Sequence, residues 1–340
     1  MPPQTKKINI RLVAQKAGVS IASVSRVVNN RTDVSEETRK RVQTVVDELD
    51  FVPNKGSDRI FNIGVLLAPG TAIFSNYLSS MLGGMIDFAT RNGVHISVMS
   101  NVRGSERNTL QMIRERRCDA LCVPMNGERL DELSCLKNSG LPVMLINTPV
   151  KGKRMGFINN NSYQGACLLT EHLLSLGHRK IGYLSQLIAA ESDENHTMRY
   201  KGFCDTLQKY GITPERKYFV EHIPTAYTQE SGYLQTEKLL RQAPEVTAIM
   251  AADDETALGA YKACWERGLK IPDDISVTGF DDLPLAGYFY PPLTTVRQPL
   301  YEMGAKAVNY LQLFLQNSLA ELPGETLDFE LVTRNSTKKI

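Results

Sequence analysis

The chain lacks the segments that would export it or hold it in a membrane. No uninterrupted apolar run reaches the roughly 18 residues that suggest a transmembrane helix. The N-terminal stretch MPPQTKKINI is charged and has no apolar core before a cleavage site. A mean hydropathy of −0.23, with 42% hydrophobic and 22% charged residues, is typical of a globular protein in water. The sequence therefore predicts a cytoplasmic protein without a membrane partner.

Metal-binding and catalytic motifs are missing as well. The six cysteines are scattered, without the spacing of a zinc site or a disulfide framework, so we expect reduced thiols and no bound metal. The patterns GxGxxG, GxxxxGK[ST], GxSxG and HExxH do not occur at strand-to-helix junctions. These absences predict a protein that is not an enzyme and holds no cofactor.

Positive charge is concentrated at the N-terminus. Residues 1–46 contain nine lysines and arginines against three acids, whereas the whole chain has a net charge of only +2. A basic segment attracts nucleic acid because binding to phosphates releases counterions, although a solvated basic face has the same composition. A chain of 340 residues is long enough for two or three compact units.

The first 54 residues have the spacing of three short helices. Apolar residues recur at i, i+3, i+4 and i+7 over residues 10–17, and a turn at Gly18 follows. Ser20 is placed to cap a second helix, and Ser35 to cap a third. Two short helices joined by a glycine turn are the arrangement that places the second helix in the DNA major groove.

Residues 8–54 resemble the head of the lactose repressor (LacI/GalR) family through the motifs AGVS, VSRVVN and VSEETR. The resemblance implies that Ile21, Ala22 and Arg26 face base edges, and a guanidinium group can read guanine through two hydrogen bonds. It also implies phosphate contacts for polar residues of the head: Asn9, Ser20, Ser23, Ser25, Asn29, Ser35 and Asn54. The alternative for Arg26 is a solvated helix residue.

A short hinge, residues 55–62, connects this head to the rest of the chain. In the family the segment forms a helix on DNA, and a leucine from it enters the minor groove. Ile60 takes the place of that leucine when residues are counted from Asn54. Gly56 and Asp58 are poor helix formers, so the alternative is a plain linker in which Ile60 packs on the body.

From residue 63 onwards, short apolar runs alternate with amphipathic stretches. This order predicts an α/β body in which parallel sheets are flanked by helices, and two successive series of such units predict two lobes. The motifs RYKGF, AADDETALGA and DDISVTGFDDLP extend the resemblance over roughly residues 8–338. It implies a periplasmic-binding-protein-like body, with an N-lobe of residues 63–158 and 290–322 and a C-lobe of residues 159–289 and 323–340.

The resemblance implies an effector site between the lobes. Six residues are candidates for contacts with the effector: Tyr77, Asn161, Arg199, Tyr227, Asp253 and Asp281. Arg199 and Asp281 match residues that grip the hydroxyls of a sugar, and Tyr227 matches an aromatic residue that stacks on the ligand. Asn161 and Asp253 stand where the family usually has Asp and Asn. The alternatives are an interlobe salt bridge for Arg199 and Asp281, and core packing for Tyr227.

The combined prediction is a transcriptional repressor that binds a palindromic operator as a homodimer and responds to a small molecule, most simply a sugar. No heptad segment follows the body, which favours a dimer over a tetramer. Three alternatives stay open: an extracytoplasmic sugar-binding protein with the same body, an α/β enzyme, and an activator. The basic head argues against the first, and the missing catalytic motifs argue against the second.

Overall fold

A computed structural model describes most of the chain, in these stretches: residues 10–28, 34–49, 60–67, 76–100, 106–115, 117–124, 136–150, 152–186, 194–225 and 228–340. The chain divides into two compact units, residues 1–60 and 61–340. The first unit is the head and the second is the body, and each is described by itself.

In the stretches 10–28 and 34–49, the head has three helices around a small core of valine and alanine. Its helices are α1 (Ile10–Ala17), α2 (Ile21–Val28) and α3 (Glu36–Glu48). Their apolar stripes meet in one cluster, whose buried members are Val13, Ala14, Ala17, Val24, Val27, Val42 and Val45. These small side chains allow short helices to approach closely, which compensates for the marginal stability of an eight-residue helix on its own.

The turn between α1 and α2 is held by a side chain from α3. Gly18 adopts a positive φ of 63°, as the residue after a helix often does. Arg41 donates hydrogen bonds from its Nη2 to the carbonyl oxygens of Ala17 and Gly18, at 2.8 and 3.1 Å. The last carbonyls of a helix have no partner within the helix, so Arg41 satisfies them and fixes the angle at which α2 leaves the turn.

The first half of the body is built on a six-stranded parallel sheet, called the first sheet. In chain order its N-terminal elements are β1 (Asn62–Leu67), α4 (Asn76–Asn92), β2 (His95–Ser100), α5 (Glu106–Glu115), β3 (Ala120–Pro124), β4 (Val143–Ile146) and β5 (Met155–Asn160). Alternate residues of β1 point to opposite faces, and both faces are covered: Val65 and Leu67 belong to one buried cluster and Leu66 to another. Burial on both faces explains why the central strands β1, β3 and β4 are almost wholly apolar.

The second half of the body is built on a four-stranded parallel sheet, called the second sheet. Its elements are α6 (Ser162–Ser175), β6 (Ile181–Leu184), α7 (Glu194–Lys209), β7 (Phe219–Val220), α8 (Thr228–Gln242), β8 (Ala248–Ala251), α9 (Asp254–Glu266) and β9 (Ser276–Thr278). The strand order is β7-β6-β8-β9. One face is covered by α6 and α7 and the other by α8 and α9, so this half has a core of its own.

The C-terminal part of the chain passes between the two halves. It contains β10 (Thr295–Arg297), α10 (Leu300–Leu315), β11 (Gly324–Leu327) and β12 (Glu330–Val332). β10 pairs with β12 in an antiparallel ribbon, and Val296 packs in the core of the second half. α10 packs on α4, while β11 joins β5 in the first sheet. The chain therefore changes halves after Asn160, near Gln298 and near Asp328.

Two of these crossings lie later than the sequence boundaries at residues 290 and 323. Leu293 and Val296 pack in the cores of the second half, and β11 belongs to the first sheet although it follows residue 323. The physical reason is that short segments such as LTTV and GETL carry no pattern that favours one sheet over another. Their placement depends on which edge offers unpaired backbone groups.

Candidate functional site

The carboxyl ends of the second sheet carry several acidic residues. Asp253 follows β8 and Asp281 follows β9, and the carboxyl ends of parallel strands lie on one edge, where ligands of open α/β sheets bind. Asp281 has a φ of 104°, which is strained for a residue with a side chain. Its N–H donates to the Val296 carbonyl at 2.9 Å, and its carbonyl accepts from the Gln298 N–H at 3.2 Å. These hydrogen bonds hold the strained residue in place.

Arg199 and Asp281 form a buried ion pair at this edge. The Nη2 of Arg199 lies 2.9 Å from Oδ1 of Asp281, and only 4% and 5% of the two side chains are exposed. The Nη1 donates to the carbonyl of Ala252 at 2.6 Å, and the guanidinium lies 3.9 Å from the centre of the Phe280 ring. Burial raises the pKa of Asp281 to about 6, although the charge of Arg199 opposes the rise. Both residues belong to the second half, so the pair does not join the lobes.

Tyr77 approaches the same pair from the first half. It lies on α4, and its hydroxyl accepts hydrogen bonds from Asn147 Nδ2 at 2.5 Å and from Gln298 Nε2 at 3.1 Å. Burial raises the pKa of the phenol, and the negative charge of Asp281 raises it further. The structure thus brings together three of the predicted effector residues, one from the first half and two from the second.

A chain of polar side chains ties Tyr77 to the first crossing. Asn160 donates from Nδ2 to Oδ1 of Asn147 at 2.9 Å, and the hydroxyl of Ser162 donates to Oδ1 of Asn160 at 2.6 Å. Asn147, Asn160 and Ser162 are all buried. None of them was singled out in the sequence, because amides at strand ends carry no motif of their own. Their arrangement couples the position of α4 to the point where the chain changes halves.

Asp254 is a buried acid that the sequence did not indicate as a residue of the site. Its carboxylate accepts from the N–H of Leu283 at 2.7 Å and from the hydroxyl of Thr295 at 2.8 Å. Complete burial raises its pKa well above the usual range, and the charge of Asp281 adds to that effect. The hydrogen bond from Leu283 holds the segment after Asp281 against the start of α9, where Asp254 lies. Nothing in the sequence distinguished it from its neighbour Asp253.

Asp253 and Asn161 both cap helices. Asp253 accepts the N–H of Thr256 through Oδ1 at 2.6 Å, at the start of α9. Asn161 accepts the N–H of Gln164 at 3.2 Å, at the start of α6, and its Nδ2 donates to Asp328 Oδ1 at 3.0 Å. An effector contact for either residue stays a prediction. Tyr227 lies outside the described residues.

In the head, the base-reading candidates lie on α2. Arg26 is exposed, and 47% of Ile21 is accessible to solvent. Ala22 and Ser25 belong to the same helix. An exposed isoleucine and an exposed arginine on one helix are a combination that a DNA groove can use, since thymine presents a methyl group and guanine presents two acceptors.

Two phosphate-contact candidates act as helix caps. The hydroxyl of Ser20 accepts the N–H of Ser23 at 3.1 Å, and the hydroxyl of Ser35 accepts the N–H of Thr38 at 3.3 Å. They mark the N-termini of α2 and α3, which favour anions. Ser23 is half-buried, and Ile60 is 69% exposed just before β1. Candidates outside the described residues are Asn9, Asn29, Asn54 and the hinge up to residue 59.

Within the described stretches, no three His, Cys, Asp or Glu side chains form a group that could hold a metal ion. A search of the same stretches found no helix with the length and apolar character needed to span a membrane.

Comparisons with known proteins match both units of the chain. A family model described as bacterial regulatory proteins, lacI family, matches residues 9–54, and a model of a periplasmic binding protein-like domain matches residues 170–337. The HTH-type transcriptional repressor PurR of Aliivibrio salmonicida is 31% identical, over 97% of this chain and 99% of the relative.

Solved structures of two related regulators are similar to this chain over most of its length. The crystal structure of the Lac repressor dimer bound to operator and the anti-inducer ONPF has a TM-score of 0.74 at 27% identity, over 98% of this chain and 100% of that one. A LacI family transcriptional regulator from Enterococcus faecium with bound ribose has a TM-score of 0.71 at 27% identity, over 82% of this chain and 99% of that one. The predicted fold class, a helix-turn-helix head on a periplasmic-binding-protein-like body, is confirmed.

Proposed function

Because this chain belongs to the lacI family of bacterial regulatory proteins, we propose that it is a cytoplasmic, homodimeric repressor of a palindromic operator. We propose that its effector is a small polyhydroxylated molecule, of which a sugar is the simplest kind, bound between the two halves of the body. The chain is a DNA-binding transcriptional regulator that is controlled by a small-molecule effector, and its relatives are regulators rather than enzymes.

One observation carries the proposed effector site: a buried ion pair from the second half faces a tyrosine hydroxyl from the first half. Gln298 links the two: its Nε2 donates to the Tyr77 hydroxyl, and its backbone N–H donates to the Asp281 carbonyl. A charged pair beside this link offers charge-assisted hydrogen bonds to adjacent hydroxyls. The Nε of Arg199 is buried without a hydrogen-bond partner among the described residues, so a donor is left for a ligand oxygen. The related regulator with bound ribose supports a sugar.

Control of DNA binding requires that the effector prefers one arrangement of the halves. A ligand shifts an equilibrium only by its difference in affinity for the two states. Tyr77 and the crossing at Asn160 are linked by the Asn147 side chain, so a ligand that displaces Tyr77 also acts on the crossing. We propose that this movement reaches the head through residues 55–62.

The Arg26→Ala variant tests the role proposed for the head. We expect a loss of about 1–3 kcal/mol in binding free energy on an operator selected from random duplexes, because a guanidinium that reads guanine is removed. Binding to random DNA should change much less. Fluorescence anisotropy titrations on both duplexes measure the two losses.

The matched control is Lys40→Ala, which removes the same charge from an exposed position on α3. That variant should weaken binding to both duplexes equally, since a phosphate contact is independent of sequence. Equal losses for Arg26→Ala on the two duplexes would refute base recognition by this residue.

The proposed homodimer has a candidate interface on the second half. Three aromatic side chains are 79–96% exposed, namely Trp265, Tyr288 and Tyr290. Phe289, which lies between the two tyrosines in sequence, packs edge-on against Tyr261 of α9, and their ring centres are 4.8 Å apart. Trp265 also belongs to α9, so the three exposed residues lie on neighbouring elements. Large exposed aromatic residues close together mark an interaction surface. Two copies of this surface, related by a two-fold axis, would present two heads to a palindrome.

A Tyr290→Asp variant should dissociate the dimer, because a charge buried in an apolar interface has no partner. Sedimentation velocity should show a monomer at concentrations where the wild type is dimeric. Trp265 is the single tryptophan, and its emission should shift to the red on dissociation. Tyr210→Asp, a change at a tyrosine 50% exposed at the end of α7, is the control and should leave the dimer intact. A wild-type protein that sediments as a monomer would refute the proposed assembly.

A further inference from the structure

A cavity lies in the second half of the body, at the edge of the second sheet that is opposite to the proposed effector site. Ile181 and Phe219, which line it, are the first residues of β6 and β7. The second sheet is parallel, and Asp281 follows the carboxyl end of β9. We call the cavity the amino-edge pocket. Every residue that lines it belongs to the described stretches 152–186 and 194–225.

The walls of the amino-edge pocket are apolar and include four aromatic side chains. Its volume is about 90 Å³, and one water needs roughly 10–15 Å³, so it has room for a six-membered ring. The ring centres of Tyr200 and Phe219 are 4.5 Å apart, and that of Phe203 is 6.4 Å from Tyr200. The other apolar lining residues are Ile181, Leu207, Ile212, Pro214 and Tyr218. Aromatic rings attract one another in tilted and offset arrangements, so these walls favour an aromatic ligand.

Hydrogen bonds outside the cavity hold these walls in place. The N–H of Ile212 donates to the carbonyl of Leu207 at 2.9 Å, which fixes the loop after α7. The hydroxyl of Tyr218 donates to Oε1 of Glu245 at 2.9 Å. A site whose walls are already ordered loses little conformational entropy when a ligand binds. The amino-edge pocket is therefore preformed.

Two adjacent cations, Arg179 and Lys180, line the same pocket between α6 and β6. The Nη1 of Arg179 donates to the carbonyl oxygens of Leu174 and His178, at 3.0 and 2.9 Å, so the guanidinium is held in position. Both of these hydrogen bonds come from Nη1, and Nε and Nη2 form an edge that can bind a carboxylate through two hydrogen bonds. The pocket thus combines an aromatic wall with a guanidinium that is already positioned.

Glu215 is the acidic residue of the lining. The Nζ of Lys217 lies 3.3 Å from Oε2 of Glu215 and 2.9 Å from Oε1 of Glu245. More than half of the Glu215 side chain is exposed, so water and salt screen its charge. The lining therefore contains two cations against one acid that is already paired, and this balance favours a ligand with a negative charge.

We propose that the amino-edge pocket is a second ligand site, separate from the effector site, and that it binds a small aromatic acid. The ring of the ligand lies against Tyr200, Phe203 and Phe219. Its carboxylate binds Arg179 and Lys180, since a guanidinium matches the planar geometry of a carboxylate. A polyhydroxylated molecule is disfavoured here, because apolar walls leave its hydroxyl groups without hydrogen-bond partners.

The experiment compares matched ligands that differ in charge or in aromaticity. The full-length protein, without sugar or DNA, is titrated with benzoate, phenylacetate and 3-phenylpropionate, with the amide of each acid, and with cyclohexanecarboxylate. Ligand NMR measures the affinities. We expect at least one aromatic acid to bind with a Kd on the order of 1 mM, as for a ligand of this size with modest efficiency. Its amide should bind about 5- to 30-fold more weakly, because a neutral group loses two ion pairs at the rim. Cyclohexanecarboxylate should also bind more weakly than the aromatic acid.

A double variant, Arg179→Gln with Lys180→Gln, tests the two cations. It should weaken binding of the acid by about 5- to 30-fold and leave the affinity for the amide unchanged, which a general disturbance of the pocket would not do. The matched control is Lys238→Gln with Arg241→Gln, at two exposed cations of α8. Arg241 also donates to a helix carbonyl, that of Glu237. The control should leave both affinities unchanged.

Ile212→Phe tests the cavity itself, because the larger side chain occupies the space of the ligand's ring. This variant should lose binding of the aromatic acid although both cations are present. Circular dichroism and sedimentation velocity show whether its fold and assembly are those of the wild type. If the larger side chain unfolds the protein, the double variant of the cations still decides the question, since it leaves the apolar walls unchanged.

Four results would overturn the inference. They are the absence of binding by every aromatic acid of the series, an amide that binds as tightly as its acid, equal losses in the two double variants, and unchanged binding in a folded Ile212→Phe variant. A changed sedimentation coefficient of Ile212→Phe would also overturn it, because a second copy of the chain would then cover the pocket. All titrations are made without operator, so the result is independent of the proposed function.

Discussion

Asp281→Asn should abolish the effector's influence on operator binding while the effector-free protein keeps its operator affinity. The amide cannot supply the charge-assisted hydrogen bond that the carboxylate offers to a ligand, and such bonds are worth roughly twice a neutral one. The substitution acts at the carboxyl edge of the second sheet, far along the chain from α2, so the DNA-reading surface is unchanged. Operator titrations with and without a sugar that raises the Tm of the protein measure the coupling.

The same variant should also be less stable. Arg199 would remain buried at 4% exposure without its counterion, and breaking a buried ion pair costs about 3–5 kcal/mol of the free energy of unfolding. Denaturant unfolding measures this loss, and the titrations are made at a temperature where the variant is folded. Asp205→Asn is the control, because it removes an exposed ion pair with Lys201 on α7. Surface pairs contribute about 0–1 kcal/mol, so this control should change neither stability nor coupling.

A retained effector response in Asp281→Asn would show that the ligand does not use this carboxylate. The ion pair would then be purely structural, which is the alternative that the sequence left open for Arg199 and Asp281. A lost response together with a large drop in operator affinity would indicate instead that the change disturbs the head.

Gly259→Ala should destabilise the body by about 3 kcal/mol, the upper end of the usual cost of overpacking. A Cβ at position 259 would lie 2.1 Å from the carbonyl oxygen of Gln229 and 2.4 Å from the backbone nitrogen of Tyr233. Both atoms belong to the backbone of α8, so no side chain can rotate away and the two helices must separate. Thermal unfolding followed by circular dichroism measures the loss.

The matched control is Gly287→Ala. A Cβ there would meet no heavy atom within 4 Å, and the residue lies in a short 3-10 turn, Pro284–Tyr288. Its free energy of unfolding should stay within about ±0.5 kcal/mol of the wild-type value, as for an ordinary surface substitution. A Gly259→Ala variant with the stability of this control would show that α8 and α9 can move apart without cost.

The three-helix head was predictable because its information is local. Residues 10–17 and the turn at Gly18 are adjacent in sequence, and the valines of α2 recur at helical spacing. The cap residues Ser20 and Ser35 were identified as helix starts from the same pattern. A contact that the pattern did not contain is the hydrogen bond from Arg41 to the turn, which joins residues more than twenty positions apart.

In the body, the sequence predicted individual site residues but not the contacts between them. Arg199 and Asp281 were named in advance, but their mutual ion pair, the ring of Phe280 beneath the guanidinium and the approach of Tyr77 come from segments far apart in the chain. Asp253 and Asp254 are adjacent in sequence, yet one caps a helix at the rim and the other is fully buried. Which of the two adjacent aspartates is buried depends on the surrounding packing, so the local sequence pattern does not predict it.

By itself the sequence determined the head, the alternation of strands and helices, and the family, because these depend on periodicity and on residues that are close in the chain. Tertiary structure alone decided where β10 and β11 pair, which acids lie in the proposed cleft, and which of them has a cation. Those outcomes depend on contacts between residues separated by tens to hundreds of positions, such as Arg199 with Asp281 and Glu255 with Asn76. Charge balance at a site is a sum over such contacts, so it exists only once the chain has folded.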